Sequence, residues 1–293
     1  MNKPVSPVVI VGCGYIGKLV AEKYLEQNIP VTGLVRSQAS AQQLQNSGIN
    51  SLVTDLSSPL ETAFDFSNSQ LFYFAPPPSA GTSDTHTRHL LEAMVPKNNY
   101  PERIVYISTT GVYGDCEGRW IDENEPVKPD ADRAKRRLDA EQQLIAFGKK
   151  HDVEIIILRV AGIYGPGKLP IKRLKQNLPV IRQEEAPFTN RIHAYDLVNI
   201  AIQAMRKGKA GEIYNVSDGH PSTMTEYFNS VADKTGLRRP PQISLADGAQ
   251  QLSAGMMSYM KESRRLKNDK LLKDLNLTLQ YPELQSGIEN CGI

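Results

Sequence analysis

The first twenty-seven residues constrain the fold of this chain more than any other stretch. The run Val8–Val11 consists only of β-branched residues and predicts a buried strand. The sequence GCGYIG follows it directly at residues 12–17, and a helical apolar pattern continues through residues 18–27. A glycine turn between a strand and a helix is typical of a dinucleotide-binding site. The alternative is a glycine turn that binds no ligand.

Each position of the turn has a predicted role. Gly12 permits the sharp turn, Gly14 lets the backbone approach a pyrophosphate, and Gly17 allows the helix to pack closely on the strand. Tyr15 and Ile16 belong to the glycine motif that leads into the helix, and the helix N-terminus offers unpaired N–H groups and a positive dipole end to phosphate. These five residues form the first part of the predicted cofactor site.

The second predicted strand, residues 31–35, indicates which dinucleotide is bound. NAD-binding sites of this type carry a carboxylate about 20 residues beyond the glycines, where it holds the ribose diol. Here no acidic residue occurs between Glu26 and Asp55, and Arg36-Ser37 follows the strand. Because a guanidinium pairs with a 2′-phosphate, the sequence favours NADP over NAD and leaves NAD possible. In the alternative interpretation, Arg36 is a solvated residue at the strand end.

Two later strand ends complete the predicted crevice. The strand predicted over residues 70–74 ends in Phe74, Ala75 and Pro76, and this proline-rich loop is expected beneath the cofactor. The strand predicted over residues 103–107 leads into a run of hydroxyl side chains that includes Thr109. Hydroxyl groups at a strand's carboxyl end are candidates for polarising a substrate carbonyl.

Composition and short motifs exclude several other classes. The net charge of +2, without a basic block, gives no indication of nucleic-acid binding. Three cysteines without metal-ligand spacing favour a reducing compartment. No apolar run approaches ~18 residues and no signal-peptide core is present, so we expect a cytoplasmic protein without membrane contact. His86 and His89 could bind a metal but are more typical of surface histidines, and no metal site is predicted.

The chain resembles the extended short-chain dehydrogenases/reductases, in the epimerase/dehydratase group. The resemblance extends over most of the chain and is carried by six motifs: VGCGYIG at 11–17, TDL at 54–56, STTGVYG at 108–114, LRVAGIYGPG at 158–167, NRIHAYDL at 190–197 and NVSD at 215–218. It implies an α/β fold, a Rossmann-type doubly wound parallel sheet of about seven strands. It also implies that Asp55 contacts the adenine and that Thr109 binds the reacting oxygen.

The same resemblance implies how the chain is divided. We expect a dinucleotide-binding domain over residues 1–218, of which 166–185 contribute to the substrate lobe. Residues 219–293 lose the regular alternation of strands and helices and are expected to form a small C-terminal substrate lobe that does not fold independently.

The sequence departs from the family's pattern where the proton donor is expected. The family carries a tyrosine four residues before a lysine on the helix that follows the hydroxyl motif. This chain has no tyrosine between Tyr113 and Tyr164. Alignment on Ala140-Glu141 puts Arg133 at the tyrosine position and Arg137 at the lysine position. The chain therefore resembles an atypical member that lacks the usual catalytic tyrosine.

Arg133 and Arg137 are one helical turn apart and can point into one crevice. Arginine does not donate a proton at neutral pH because its pKa lies above about 12. Two guanidinium groups can nevertheless stabilise an oxyanion or hold a carboxylate or phosphate. The alternative is that both are solvated charges of an amphipathic helix.

Two functions are compatible with these observations. The first is an NADP-dependent oxidoreductase or epimerase-like enzyme that acts on a small, anionic substrate with a non-standard proton donor, and that has Thr109, Arg133 and Arg137 at its catalytic site. The second is a catalytically silent NADP-binding sensor or partner-binding module. The remaining acid–base candidates lie on loops and motifs, and most are expected to be structural: Tyr113, Asp122, Glu123, Tyr164 and His193. The sequence does not indicate the substrate or the oligomeric state.

Overall fold

A computed structural model describes residues 6–60 and 64–292. Contacts divide the chain into two interleaved units. Unit 1 comprises Met1–Val112, Asp132–Arg159 and Val198–Ile213, and unit 2 comprises Tyr113–Ala131, Val160–Leu197 and Tyr214–Ile293. The boundary expected at residue 218 does not coincide with this division, because the chain passes between the units several times.

The elements alternate regularly in the first half of the chain. The strands of the described residues are β1 Val8–Val11, β2 Val31–Val35, β3 Asn50–Val53, β4 Gln70–Tyr73, β5 Arg103–Thr109, β6 Trp120–Ile121, β7 Glu154–Val160, β8 Gly162–Tyr164, β9 Val180–Ile181, β10 Phe188–Thr189, β11 Arg191–His193, β12 Ile213–Val216, β13 Ser222–Thr223, β14 Gln242–Ile243 and β15 Arg265–Leu266. The α-helices are α1 Tyr15–Leu25, α2 Gln38–Gln45, α3 Thr85–Met94, α4 Asp132–His151, α5 Ile171–Lys175, α6 Ala194–Lys207, α7 Met224–Thr235, α8 Leu245–Gln251, α9 Ala254–Met260, α10 Asp269–Leu275 and α11 Leu284–Glu289.

Seven of these strands form one parallel sheet in the order β12-β7-β5-β4-β1-β2-β3. From β1 the chain proceeds outward through β2 and β3, and it then returns to place β4 on the other side of β1. In a doubly wound sheet, the carboxyl ends of the two strands at such a reversal form the ligand crevice. The predicted α/β architecture with about seven parallel strands is therefore confirmed.

The core of unit 1 consists of apolar side chains from the sheet and from the helices packed on it. β1 is buried at all four positions, as its β-branched run predicts. One cluster joins the sheet to α3 and α4 through residues that are at most 7% exposed, including Val9, Leu71, Tyr73, Leu90, Tyr106, Leu144 and Ile157. This packing fixes the strand ends that carry the candidate site.

Unit 2 is built from short pieces of structure. Its strands pair two by two, as β6–β15, β8–β11, β9–β14 and β10–β13. The longest helix lying wholly in this unit, α7, begins at a capping box in which Thr223 and Glu226 exchange hydrogen bonds. Its apolar residues pack with Tyr164 in a separate buried cluster. No helix within the described ranges is long and apolar enough to span a membrane.

Candidate functional site

At Gly12 the turn after β1 has a backbone conformation and surroundings that suit glycine. Gly12 has φ +83°, and a Cβ at this position would lie 2.3 Å from the backbone nitrogen of Ala75. The turn after β1 therefore contacts the loop after β4 through backbone atoms, at the point where the strand order reverses. A side chain at residue 12 would separate these two loops.

The next two glycines have different surroundings. A Cβ on Gly14 would meet only the Gly12 carbonyl oxygen, at 4.0 Å, so this backbone faces open space. A Cβ on Gly17 would lie 3.0 Å from Cγ2 of Ile10, which shows how closely α1 packs on β1. Tyr15 and Ile16 lie between them as the first residues of α1, whose N-cap is Gly14. Gly12 and Gly17 are thus closely surrounded by protein atoms, and Gly14 is open.

Arg36 and Ser37 are exposed at the carboxyl end of β2. Ser37 is the N-cap of α2, and its hydroxyl accepts a hydrogen bond from the Ser40 N–H at 3.2 Å. The first turn of α2 contains no acidic residue. An anion at this helix end would therefore meet a cation and helix N–H groups without a nearby carboxylate on the same turn.

Asp55 lies in the turn after β3 and is exposed. Its Oδ1 accepts a hydrogen bond from the Ser57 N–H at 2.9 Å. This bond, helped by the positive charge of Arg36, lowers the pKa of the carboxyl group below its usual value. Asp55 is therefore an ionised hydrogen-bond acceptor near the end of β2.

The loop after β4 is held on both sides. The Phe74 N–H donates to the Val11 carbonyl at 2.8 Å, and Ala75 is buried. The Pro76 carbonyl lies 3.0 Å from Nδ1 of His86. The loop that is expected beneath the cofactor is thus fixed against the glycine turn.

Thr109 and Arg137 both lie at the carboxyl end of the sheet in unit 1. Thr109 is the last residue of β5, is half-buried, and accepts a hydrogen bond from the Gly111 N–H at 3.2 Å. Nη1 of Arg137 lies 3.2 Å from the Ala75 carbonyl oxygen, 3.1 Å from that of Ile107 and 3.0 Å from the Tyr106 hydroxyl. Arg137 therefore points inward and joins the ends of β4 and β5.

Arg133 lies in the first turn of α4, one turn before Arg137, and is half-buried. The common helix face of the two arginines follows from their spacing of four residues. For Arg137, only Nη1 has hydrogen-bond partners among the described residues. Its Nη2 and Nε thus remain as donors that no protein acceptor occupies.

A buried polar cluster that the sequence did not reveal lies next to these residues. The Ser108 hydroxyl donates to Oε1 of Glu141 at 2.5 Å, and Arg159 donates to both oxygens of that carboxylate, at 3.2 and 2.8 Å. All three residues are at most 4% exposed. The sequence shows that Arg137 and Glu141 are one helical turn apart. It does not show the partners of Glu141, because these come from β5 and β7.

Four of the remaining acid–base candidates have contacts or burial within unit 2 that are typical of structural residues. The Tyr113 hydroxyl donates to Asn215, whose N–H donates to Glu123 at 2.7 Å. Tyr164 and His193 are fully buried, and burial lowers the pKa of His193 to about 4. A neutral, buried imidazole packed among aromatic rings is typical of a core residue.

The prediction of a surface position was wrong for His89. This residue is 9% exposed, and its Nδ1 lies 2.8 Å from the Leu56 carbonyl oxygen. It faces the segment after β3 because α3 packs on that side of the sheet. No group of three potential metal ligands occurs in the part of the chain that the structure describes.

Comparisons with known proteins show which family and fold the chain is similar to. Residues 80–217 match the model of the NAD dependent epimerase/dehydratase family. Human dTDP-D-glucose 4,6-dehydratase is 27% identical over 123 residues, which are 39% of this chain and 35% of the dehydratase. The chain thus spans about a third of that relative's length. Protein YeeZ of Escherichia coli K12 is 26% identical over 94% of this chain and 96% of its own.

Solved structures share the whole fold. A functionally unknown conserved protein from Silicibacter pomeroyi DSS has a TM-score of 0.85 and 27% identity, and the match covers 98% of both chains. A dTDP-glucose 4,6-dehydratase from Bacillus anthracis in complex with NAD has a TM-score of 0.77 over 98% of this chain and 95% of its own. Its identity of 17% shows the fold alone.

Proposed function

We propose that this chain, a relative of the NAD-dependent epimerases and dehydratases, binds NADP(H) at the carboxyl edge of its sheet. The observation that carries the proposal is the pairing of two features in unit 1. The Gly14 backbone is open to solvent at the N-terminus of α1, and Arg36 follows β2 where a ribose-binding carboxylate would otherwise stand. The first feature suits a pyrophosphate and the second suits a 2′-phosphate.

The same geometry supports roles for the neighbouring residues. Tyr15, Ile16 and Gly17 form the first turn of α1, the end of a helix that attracts phosphate. Ser37 extends the phosphate site at the N-terminus of α2. The ionised Asp55 would accept a hydrogen bond from the adenine amino group, and the loop at Phe74–Pro76 would lie beneath the cofactor.

The proposed activity is an NADP-dependent oxidoreductase or epimerase-like reaction on a small, anionic substrate. NADP supplies hydride transfer when bound. Thr109 would donate a hydrogen bond to the reacting oxygen, and Arg133 with Nη2 and Nε of Arg137 would hold the substrate's anionic group. Relatives named as 4-epimerases and 4,6-dehydratases of nucleotide sugars support this substrate charge.

The cofactor proposal is tested by titration calorimetry with NADPH and NADH. We expect NADPH to bind at least about ten-fold more tightly, a difference of roughly 1.4 kcal/mol. Arg36→Ala should remove most of the difference and leave the affinity for NADH nearly unchanged. Arg88→Ala is the matched control, because it removes another exposed arginine, from α3. Equal affinities of the unmutated protein for the two cofactors would refute NADP preference.

The second candidate is a silent NADP-binding sensor or partner-binding module. One observation favours it: Nη1 of Arg137 is occupied by three protein acceptors, as a structural residue's would be. A screen of NADPH oxidation over sugars, keto acids and aldehydes separates the two functions. Turnover of any of them supports the enzyme, and tight NADPH binding without turnover of any of them supports the sensor.

A further inference from the structure

A carboxylate on α4 connects the helix to two strands of the sheet. Glu141 lies one helical turn beyond Arg137, and the residue is 1% exposed. Oε1 accepts the Ser108 hydroxyl, and both oxygens accept N–H groups of Arg159. Ser108 belongs to β5 and Arg159 to β7, so one carboxylate fixes α4 to both strands.

The attached strand residue is the one that precedes Thr109. Because successive side chains of a strand alternate between faces, fixing the Ser108 side chain also fixes the direction of the Thr109 side chain. Arg137 holds the same strand one step earlier, through the Ile107 carbonyl at 3.1 Å. Two successive turns of α4 therefore contact β5 at the two residues that precede Thr109.

We propose that Glu141 is a positioning residue: through Ser108 it sets the orientation of Thr109 relative to Arg137. The inference rests on the proposed function, since it concerns the nicotinamide half of the cofactor site. Buried ion pairs contribute little net stability compared with apolar residues of similar size. An orienting role gives a reason for keeping a buried charge at this place.

The chain offers a control at the opposite ends of the same two strands. Arg103 begins β5 and pairs with Glu154, which begins β7, through an N–H···O bond of 2.6 Å from Nε. Glu154→Gln therefore weakens the same pair of strands without touching the end that carries Thr109. It is the matched variant for Glu141→Gln.

The experiment measures NADPH bound to the full-length protein. Titration calorimetry gives its Kd, and the fluorescence lifetime of the reduced nicotinamide reports how firmly that ring is held. We expect Glu141→Gln to shorten the bound lifetime at least two-fold toward that of free NADPH and to change Kd less than three-fold. Ser108→Ala should shift the lifetime in the same direction, and Glu154→Gln should leave it unchanged.

A double variant, Glu141→Leu with Arg159→Met, separates orientation from stability. Replacing both charges by apolar groups avoids leaving a buried arginine unpaired, so the chain should fold, but Ser108 still lacks its acceptor. A shortened lifetime in this variant supports the positioning role. Recovery of the unmutated lifetime, or an equal shift in Glu154→Gln, would overturn it. Failure of the unmutated protein to bind NADPH would overturn the proposed function and this inference together.

Discussion

Two glycines in one turn predict opposite outcomes for the same substitution. Gly12 and Gly14 are two residues apart, and alanine at either adds a single methyl group. At Gly12 that methyl carbon would lie 2.3 Å from the Ala75 nitrogen and 2.5 Å from its Cα, and φ is +83°. At Gly14 it would meet only one atom, at 4.0 Å, and φ is −88°.

The magnitudes follow from these surroundings. At Gly12, a positive φ costs an L-residue roughly 1–2 kcal/mol. Displacing buried backbone costs about 1–3 kcal/mol more. Gly12→Ala should therefore lower the free energy of unfolding by roughly 2–5 kcal/mol. Gly14→Ala should change it by less than about 1 kcal/mol, the difference between glycine and alanine at an N-cap.

For cofactor binding, in contrast to stability, we expect the larger effect at Gly14. A methyl group on Gly14 lies where the pyrophosphate would approach, so we expect NADPH affinity to fall at least about ten-fold, or 1.4 kcal/mol. Gly14→Val should abolish binding while the circular dichroism stays native. Urea unfolding and titration calorimetry on the same preparations measure both quantities. Full NADPH affinity in Gly14→Val, with a native fold, would show that this turn does not bind the phosphates.

Three further predictions concern buried groups. Burial lowers the pKa of His193 to about 4, so the neutral imidazole stabilises the fold by up to about 3 kcal/mol above pH 6.5. This contribution is lost as the pH falls toward 4. His193→Gln should remove that part of the pH dependence of urea unfolding. Burial raises the pKa of Asp218 to about 7, so its protonated form stabilises the fold below pH 4, and that contribution is lost as the pH rises through 7. Asp218→Asn should therefore reduce the loss of stability, measured by urea unfolding, between pH 4 and 7. Burial raises the pKa of Cys13 to about 12, so this thiol should react with a disulfide reagent only after unfolding, which mass spectrometry of the labelled peptide would detect.

Local sequence signals were sufficient for the elements that form the candidate cofactor site. The β-branched run Val8–Val11 and the glycines after it predicted β1, the turn and α1, because their geometry depends on the backbone of adjacent residues. The predicted start of the helix, Lys18, was three residues late because the glycine motif itself supplies the first turn, from Tyr15. The first residue of a helix depends on the backbone geometry at its cap, which the pattern of apolar residues does not indicate.

Signals that depend on distant residues were missed. α2 was not predicted because it is short, uncharged and buries only Ala41 and Leu44. The acceptor for Ser108 is a glutamate 33 residues away, and no local pattern joins them. His89 was expected at the surface because nothing near it in sequence indicates the Leu56 carbonyl, which packing brings to its ring. Hydrogen bonds between residues so far apart in sequence depend on the whole fold and not on the local sequence around either residue.

The two arginines on α4 permit a decisive substitution. Arg137→Lys keeps a cation near the Ala75 and Ile107 carbonyls, which a lysine ammonium can reach as a point charge. Arg133→Tyr adds a phenol whose proton can be transferred, which a guanidinium cannot supply. If Thr109 and bound NADPH are correctly placed, the double variant should reduce simple aldehydes or ketones at least ten-fold faster than either single variant. NADPH binding must persist in all three proteins. A double variant that binds NADPH but is no faster than Arg137→Lys alone would show that the position of residue 133 does not face the reacting carbon.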